Sequence, residues 1–352
     1  MMARRTLLFI QFLYPLLLKK SRNLYGSVLI LSLWVVVLLS VFAVSLSYGV
    51  RQKMALVEKL ESKRMLACLA ESGVKKAISF LLKNNKYEYI GVNSILLNNP
   101  QEFKDMEFDR GYVKFYYAYR DDLTADSFYF LGFQDEARKI NINKADREVL
   151  KRLFILLNLD EVKAEEISSS IVDWRDKDNE LSSSYSAEDT YYQFLEPGYS
   201  AKDNDFEVLD ELLLVKGVDK GIFERIKDYL TVYGDGRINI NTASAKVLLA
   251  LGLPFSLVEK IIYFRLGEDK IIGTDDDNVF KNTQEIVADL NQRFKLNEAE
   301  ITQLSRIIND YLCVDSSFFA IESKACRKEK DEAVSVKAVV DKEGQVFYWR
   351  EL

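Results

Sequence analysis

A run of uncharged residues constrains this chain more than any other feature of its sequence. Between residues 23 and 50 there is no Asp, Glu, Lys or Arg, and residues 27–48 are apolar apart from a few serines and a closing tyrosine. About 20 apolar helical residues are needed to cross roughly 30 Å of hydrocarbon. A buried core helix would normally keep a polar face, and this run has none. The pattern therefore predicts one transmembrane helix over residues 27–48.

The residues that flank this helix predict its orientation. Before the helix the chain carries only cationic charges, at Arg4, Arg5, Lys19, Lys20 and Arg22. Cationic flanks are retained on the cytoplasmic side of a membrane. We therefore expect a single-pass membrane protein, with its N-terminus in the cytoplasm and the large C-terminal part outside.

The composition excludes several classes of function. The chain has 352 residues, a net charge of −6 and no histidine, which removes the commonest general base and metal ligand and the Ser-His-Asp triad. The acidic balance disfavours nucleic acid, whose phosphates are bound mainly by Lys and Arg, and it is compatible with divalent cations. In an oxidising compartment Cys313 and Cys326 could form a disulfide. Cys68 falls on an apolar helical stripe and is interpreted as a core residue.

Beyond the span, the sequence predicts an α+β fold. Residues 51–83 repeat apolar side chains at helical spacing, so a continuous helix over residues 27–83 would be about 85 Å long. Aromatic-rich residues 112–119 and 127–133 are typical of a β-hairpin. Residues 318–326, 333–340 and 345–349 predict three more strands, with a turn at Glu343-Gly344. We expect a long helix packed on an antiparallel sheet, with the strand aromatics filling the interface; these are Tyr112, Phe115, Tyr117, Phe128 and Phe130.

The region between the two groups of strands is predicted to be an inserted, all-helical domain. It contains an internal repeat, because residues 140–150 and 238–248 align without gaps and are identical at 7 of 11 positions. Each copy enters through Ile-Asn-Ile-Asn, and Asn143 and Asn241 are candidate helix N-caps. In residues 208–233, Gly217 separates two amphipathic segments as in a helical hairpin. The sequence therefore predicts repeats that resemble helix-hairpin-helix units.

These segments together resemble the minor pseudopilin K family of type II secretion (general secretion pathway protein K). The resemblance extends from about residue 23 to residue 352. It is carried, in order, by GSVLILSLWVVVLLSV, LAESGVKKAISFL, ININKADREVL, IVDWRDKDNE, SAEDTYYQF, LDELLLVKGV, YLTVYGDGRINI, NTASAKVLLAL and VFYWREL.

The resemblance implies a precursor in a bacterial inner membrane, with most of the chain in the periplasm. The prepilin peptidase would cut it after Gly26, so that Ser27 becomes the first mature residue and a site of methylation. Most pseudopilins carry glutamate at the fifth mature position, and this family lacks it; the residue here is Leu31. The family lies at the tip of the pseudopilus with the I-type and J-type minor pseudopilins, and it is not enzymatic. The implied division of the chain is a leader (1–26), the membrane part of the helix (27–48), the rest of the helix with the first strands (49–139), the inserted domain (140–316) and the last strands (317–352).

The same resemblance implies calcium in the inserted domain. Calcium takes six to eight oxygen ligands, and loop carboxylates supply several of them from a short segment. The motif positions select Asp176, Asp178, Glu188 and Asp189, within a dense acidic cluster that also contains Asp173 and Glu180. The alternative is a solvated acidic loop. The triplet at residues 275–277 is a second candidate, for which a flexible loop is the simpler interpretation.

Two other functions are compatible with parts of the sequence. Membrane-tethered competence proteins use similar repeats to bind DNA through glycine amides and basic side chains. Residues 141–320, however, contain 21 Lys and Arg against 34 Asp and Glu, a balance that repels phosphate. Paired carboxylates could also indicate a glycosidase, but no acid–base pair can be selected.

Overall fold

The computed structural model describes residues 24–109, 111–120, 127–328 and 332–352, without the side chains of residues 24–26 and 120. The basic flank and residues 1–23 of the leader lie outside the described residues. The chain divides into two compact units, residues 1–62 and residues 63–352.

The first unit is described over residues 24–62, all of which belong to the helix α1, Leu24–Lys83. In residues 27–48 every side chain is exposed, as the prediction of a lipid-facing helix requires; Leu46, for example, is 71% exposed. The hydroxyls of Ser32 and Ser40 donate to the carbonyls of Leu29 and Val36, each at 2.8 Å. These bonds satisfy the serines inside the helix. By length and composition α1 can span a membrane.

The second unit contains an antiparallel sheet and a short helix packed with the end of α1. Before the insertion lie α2 (Pro100–Phe103), β1 (Met106–Glu107), β2 (Gly111–Phe115), β3 (Tyr117–Arg120), β4 (Ser127–Phe130) and β5 (Gln134–Asp135). One face of α1 is fully buried at three- and four-residue spacing against the sheet, through Leu66, Ala70, Val74, Ala77 and Leu81. The predicted fold class, a long helix on an antiparallel sheet, is confirmed.

The inserted region between β5 and the last strands is mostly helical. Its elements are β6 (Ile140–Asn141), α3 (Arg147–Leu156), α4 (Glu161–Arg175), α5 (Asp189–Gln193), α6 (Lys220–Ile226), β7 (Leu230–Thr231), β8 (Ile238–Asn239), α7 (Ala245–Ala250), α8 (Phe255–Arg265), α9 (Ile286–Phe294), α10 (Glu298–Tyr311) and β9 (Leu312–Cys313). It also contains two short parallel pairs, β6 with β7 and β8 with β9. The helix-hairpin-helix character of its repeats and the five-part division of the chain stay predictions.

The last strands are β10 (Phe318–Arg327), β11 (Ala333–Asp341) and β12 (Val346–Glu351), close to the predicted ranges. The order of the sheet is β1-β2-β10-β11-β12, and β5 also pairs with β10. Gly344 has a φ of +82° in the turn between β11 and β12, a conformation that glycine adopts without strain.

The prediction of one strand over residues 112–119 was wrong. The segment divides at Tyr116, because β2 pairs with β10 while β3 pairs with β4 as a separate hairpin. β10 pairs with β2 from Ser323 to Arg327 and with β5 at Phe319 and Ala320, so the chain after Phe115 leaves the sheet. As a result, Phe115 packs on α1, whereas the side chains of the hairpin join the core of the inserted region; these include Tyr117, Phe128 and Phe130.

The cysteines also differ from the predictions. Cys68 is exposed rather than in the core, and all three cysteines are free. The thiol of Cys313 donates to the carbonyl of Asp315 at 3.2 Å, and burial raises its pKa. Cys326 lies eight residues beyond the start of β10, where it faces Ala333 of β11, and a strand rises about 3.3 Å per residue. The pairing of Cys313 with Cys326 is therefore absent from this structure.

Candidate metal centre

The candidate site is built on a frame that the internal repeat forms twice. In the first copy the Asn141 side chain accepts from the Asn143 amide at 2.8 Å, and the Asn143 side chain makes two hydrogen bonds with the backbone of Phe206, at 2.8 and 3.0 Å. Arg175, the last residue of α4, donates to the carbonyls of Ile142 and Ala145. The segment between Arg175 and Phe206 is thus held at both of its ends.

The second copy repeats these contacts with equivalent residues. Asn239 accepts from the Asn241 amide at 3.0 Å, and Asn241 makes two hydrogen bonds with the backbone of Phe280, at 2.8 and 2.9 Å. Arg265, the last residue of α8, donates to the Ala243 carbonyl at 2.7 Å. The prediction that Asn143 and Asn241 are helix N-caps was wrong, because Asp146 and Ser244 are the N-caps of α3 and α7. The two asparagines instead fasten a distant loop to the repeat.

In the first copy the fastened segment, residues 176–205, carries most of the predicted cluster. It is termed the acidic loop below. It starts at Asp176, the C-cap of α4, and includes the short helix α5 with Glu188 as its N-cap. Behind it, the ring of Trp174 packs against Tyr192 and Phe206, with centroids 5.1 and 6.4 Å apart. The loop therefore rests on an aromatic core, and this core limits how far its carboxylates can move.

Two of the four predicted ligands come together with unpartnered oxygens. Glu188 is 5% exposed, and neither of its carboxylate oxygens has a hydrogen-bond partner among the described residues. The same holds for Oδ1 of Asp176. Burial, followed by the neighbouring acids, raises the pKa of Asp176 to about 6 and the pKa of Glu188 to about 7. Buried acceptors without donors are costly, so this pair of carboxylates favours a proton or a cation.

The other two predicted ligands are engaged by the loop itself. Asp178 is exposed, and its carboxylate accepts from the Glu180 amide at 2.9 Å. Asp189 accepts from the Ala201 amide at 2.8 Å. Their oxygens shape the acidic loop, and each retains further acceptor capacity.

Two other carboxylates belong to the site. Asp173 is fully buried and accepts from the backbone and hydroxyl of Ser182, and it raises the pKa of both Asp176 and Glu188. Asp203 has a similar though smaller effect, from the returning end of the loop, where its φ is +52°. Asp173 was visible in the acidic motif but was not selected. Asp203 lies 27 residues from Asp176, and no sequence pattern connects the two.

The donor set fits a hard cation in its chemistry. Its oxygens are carboxylates, which calcium prefers, and three of them are buried without a donor. Among the residues that the structure describes, no three carboxylate or thiol side chains lie close enough together to hold a metal ion as they stand. A cation would replace the missing donors and relieve the repulsion between the carboxylates. The assignment of calcium stays a prediction.

The second candidate, residues 275–277, behaves differently. Asp276 accepts from the amides of Glu268 and Asp269 and from the hydroxyl of Thr274, and these bonds lower its pKa to about 2. Asp275 is exposed. The carboxylates of this triplet mainly cap their own loop, with the exception of one oxygen of Asp277.

The processing residues of the resemblance lie at the start of α1. Gly26 and Ser27 fall within its first turn, and Leu31 is 67% exposed. Ser27 is exposed as well, and the cleavage after Gly26 stays a prediction.

A long helix on an antiparallel sheet, interrupted by a large helical insertion, is a pilin-like fold. Residues 127–235, which contain the acidic loop, match the family model described as type II secretion system (T2SS), protein K. Type II secretion system protein K of Aeromonas hydrophila is 36% identical over 115 residues, which are 31% of this chain and 34% of that protein. The protein of the same name from Pseudomonas aeruginosa is 28% identical over 115 residues, 32% of this chain and 34% of that protein. These alignments span about a third of the length of the curated relatives.

The fold is similar to a chain in the crystal structure of the GspK-GspI-GspJ complex from the type 2 secretion system of enterotoxigenic Escherichia coli. The TM-score is 0.58 at 18% sequence identity, over 85% of this chain and 99% of that one. Residues 127–235 are thus similar to type II secretion system protein K, and the fold is similar to a chain of the GspK-GspI-GspJ complex.

Proposed function

We propose that this chain is a minor pseudopilin at the tip of a type II secretion pseudopilus, a structural component for export of folded proteins across the outer membrane. The observation that carries the proposal is the combination of a membrane-length helix, a pilin-like sheet and a helical insertion, in a fold that is similar over 85% of this chain to a chain of the GspK-GspI-GspJ complex. That chain is in a complex with GspI and GspJ, so we expect I-type and J-type minor pseudopilins as partners here. The protein acts by assembly rather than catalysis.

Leu31 supports a place at the end of the fibre. In a bundle of membrane helices a buried carboxylate must be paired, and the free N-terminus of the next subunit above is a suitable partner. Leu31 carries no charge and needs no such neighbour. A subunit with leucine at this position can therefore end the fibre, with its inserted region facing the periplasm.

The proposal includes the maturation of α1. The uncharged helix first holds the precursor in the inner membrane with its N-terminus in the cytoplasm. The prepilin peptidase then cuts after Gly26, and Ser27 becomes the methylated N-terminus. Cleavage removes the basic segment that would otherwise keep the helix in the bilayer, so the subunit can enter the fibre.

We also propose that the acidic loop binds calcium, chiefly through Asp176 and Glu188 with Asp173, Asp178, Asp189 and Asp203 nearby. The ion would add to the positive charge of Arg175, which alone does not prevent the pKa of Asp176 from rising to about 6. A cation that binds only the folded state raises the melting temperature. We therefore expect calcium to add several degrees to the melting temperature of the chelated full chain, and D176N to reduce this gain strongly. The matched control D275N, at an exposed carboxylate, should keep it; an unchanged melting temperature and no bound metal by elemental analysis would reject the site.

Assembly is tested by co-expressing the full chain with the I-type and J-type proteins of the same genome and extracting the membranes with detergent. We expect a complex of the three chains to be retained through affinity purification and size-exclusion chromatography. The competing function is a membrane-tethered DNA-binding protein of the competence type. A chain that stays alone and shifts duplex DNA at moderate salt would overturn the proposal in favour of that function.

A further inference from the structure

The loop of the second repeat, residues 266–279, corresponds in position to the acidic loop but has a different interior. It leaves Arg265 at the end of α8 and returns at Phe280, which Asn241 fastens. Where the first repeat brings several carboxylates together, this loop places Asp277 and Arg265 on the lining of one small cavity. Burial raises the pKa of Asp277 to about 6, and the Gly273 amide and the charge of Arg265 oppose that rise. The interior therefore already contains its own cation.

Arg265 is 3% exposed, and most of its guanidinium is engaged. One terminal nitrogen donates to the Ala243 carbonyl at 2.7 Å, and the other donates to the hydroxyl of Tyr119 at 3.1 Å. Its Nε has no hydrogen-bond partner among the described residues. A buried guanidinium N–H without an acceptor is costly, more so than a neutral one.

Asp277 presents the complementary atom. Its Oδ2 accepts from the Gly273 amide at 2.6 Å, whereas its Oδ1 is buried and has no partner in the described part of the chain. A small cavity is lined by both Arg265 and Asp277, together with Asn93, Asn241 and Val279. It offers about 10 Å³ to the centre of a water molecule, which is close to the minimum that one buried water needs.

We infer that this cavity binds one structural water molecule, which accepts a hydrogen bond from Arg265 Nε and donates one to Asp277 Oδ1. A single water has the size of the cavity and satisfies an unpaired donor and an unpaired acceptor at once. Asn93 gives it a third polar neighbour. A metal ion is disfavoured, because the guanidinium repels it and Asp277 offers a single carboxylate. The second repeat thus closes its loop with an arginine and a water, without a metal.

The direct test is a crystal structure of the full chain at a resolution that shows ordered water. We expect one density peak within hydrogen-bond distance of both Arg265 Nε and Asp277 Oδ1. A peak with four or more oxygens at 2.3–2.6 Å would identify a cation instead. Direct contact between the two side chains, or a cavity without density, would equally overturn the inference.

Variants test the inference in solution through the melting temperature of the full chain in chelator. D277N keeps an oxygen that can accept a hydrogen bond from the water, whereas D277L removes every polar atom of the side chain. We therefore expect the melting temperature of D277N to fall by less than half as much as that of D277L. Equal losses in the two variants would show that the charge of Asp277, and not the water, matters. The response to calcium should be the same in D277N and the unsubstituted chain, and a reduced response would indicate a metal at Asp277. Failure of the calcium proposal would leave these expectations unchanged.

Discussion

Glu188 is the residue of the acidic loop that has both carboxylate oxygens buried without a hydrogen-bond donor among the described residues. Its side chain is buried at the N-cap of α5. Burial contributes most to the rise of its pKa to about 7, followed by the charges of Asp173 and Asp176. In the unfolded chain the same carboxyl titrates near 4.5. The folded protein therefore binds a proton at Glu188 more tightly than the unfolded chain does.

This difference predicts how stability depends on pH without calcium. Since the pKa is raised on folding, the stabilisation by the proton is complete below about pH 4.5 and is lost as the pH rises through about 7. Solvent near the loop reduces the effect, and we expect about 1 kcal/mol. Urea unfolding of the full chain in chelator, from pH 5 to 8, measures it.

The matched variant for this prediction is E188Q, which keeps the shape of the side chain and removes its titration. At pH 8 in chelator E188Q should be more stable than the unsubstituted chain, and the fall between pH 5 and 8 should become smaller. With calcium present the order should reverse, because the variant lacks a ligand. A fall with pH that is the same in both proteins would assign it to other groups.

Asn241 provides a second prediction at the same scale. Its side chain is 2% exposed and makes two hydrogen bonds with the backbone of Phe280. N241A would leave a buried amide and a buried carbonyl without these partners, at a cost of about 2–4 kcal/mol. Thermal and urea unfolding of the full chain measure the loss. N204A, at an exposed asparagine, is the control and should change stability by less than 0.5 kcal/mol; an equally small effect of N241A would show that the loop is held in another way.

At the scale of the elements, the contact between α1 and the sheet depends on Gly73. A Cβ atom at this position would overlap Ser323 Oγ of β10 and lie 2.9 Å from Val113 Cγ1 of β2. In an exposed helix, replacing glycine by alanine stabilises by up to about 1 kcal/mol. Here overpacking reverses the sign, and we expect G73A to lose about 1–3 kcal/mol in urea unfolding.

The control for this prediction is the neighbouring residue of the same helix. Ser72 is exposed, and its hydroxyl donates to the Cys68 carbonyl at 2.7 Å. S72A should therefore leave stability nearly unchanged or raise it slightly, by a few tenths of a kcal/mol. If G73A also proved stabilising, the helix and the sheet would have to be further apart than in this structure.

The same element shows what the sequence could predict and what it could not. The periodicity of apolar residues was sufficient to predict α1 and the last three strands, because each of these elements repeats its apolar pattern over several residues. Cys68 was predicted to lie in the core and is nevertheless exposed. It is two residues from both Leu66 and Ala70, and two residues rotate an α-helix by about 200°, so its side chain points away from the sheet. The break at Tyr116 depends on which strand β10 pairs with, and pairing partners leave no local signal.

The site follows the same rule. The acidic motif located Asp176 and Glu188, because ligand types cluster along a loop. Asp203 reaches them only through the path of the chain between Trp174 and Phe206, which the amide of Asp203 helps to fix by donating to the Trp174 carbonyl at 3.1 Å. The role of Asn143 was likewise hidden, because its partner Phe206 lies 63 residues away. Long-range partners of this kind cannot be derived from spacing alone.

For the whole molecule, the proposed place at the tip makes Leu31 the residue that determines where in the fibre this subunit can assemble. A glutamate here would have to be paired within the membrane, at a cost of about 2.5–3.5 kcal/mol if it were left unpaired near the centre of the bilayer. Below another subunit it could pair with that subunit's N-terminus. We therefore expect L31E to enter the fibre at internal positions as well as at the end. Immunogold labelling along isolated fibres should then show several copies per fibre instead of one at a single end.

The matched control is L31Q, which has the polarity and size of glutamate without its charge. If pairing of a carboxylate with an N-terminus sets the position of a subunit, L31Q should stay at the tip or fail to assemble, and only L31E should label internal positions. Mass spectrometry must show that both variants begin at Ser27, because an uncut leader would block assembly by itself. A label confined to one end in cleaved L31E would mean that the bulk of the inserted region, and not the missing carboxylate, excludes this chain from the body of the fibre.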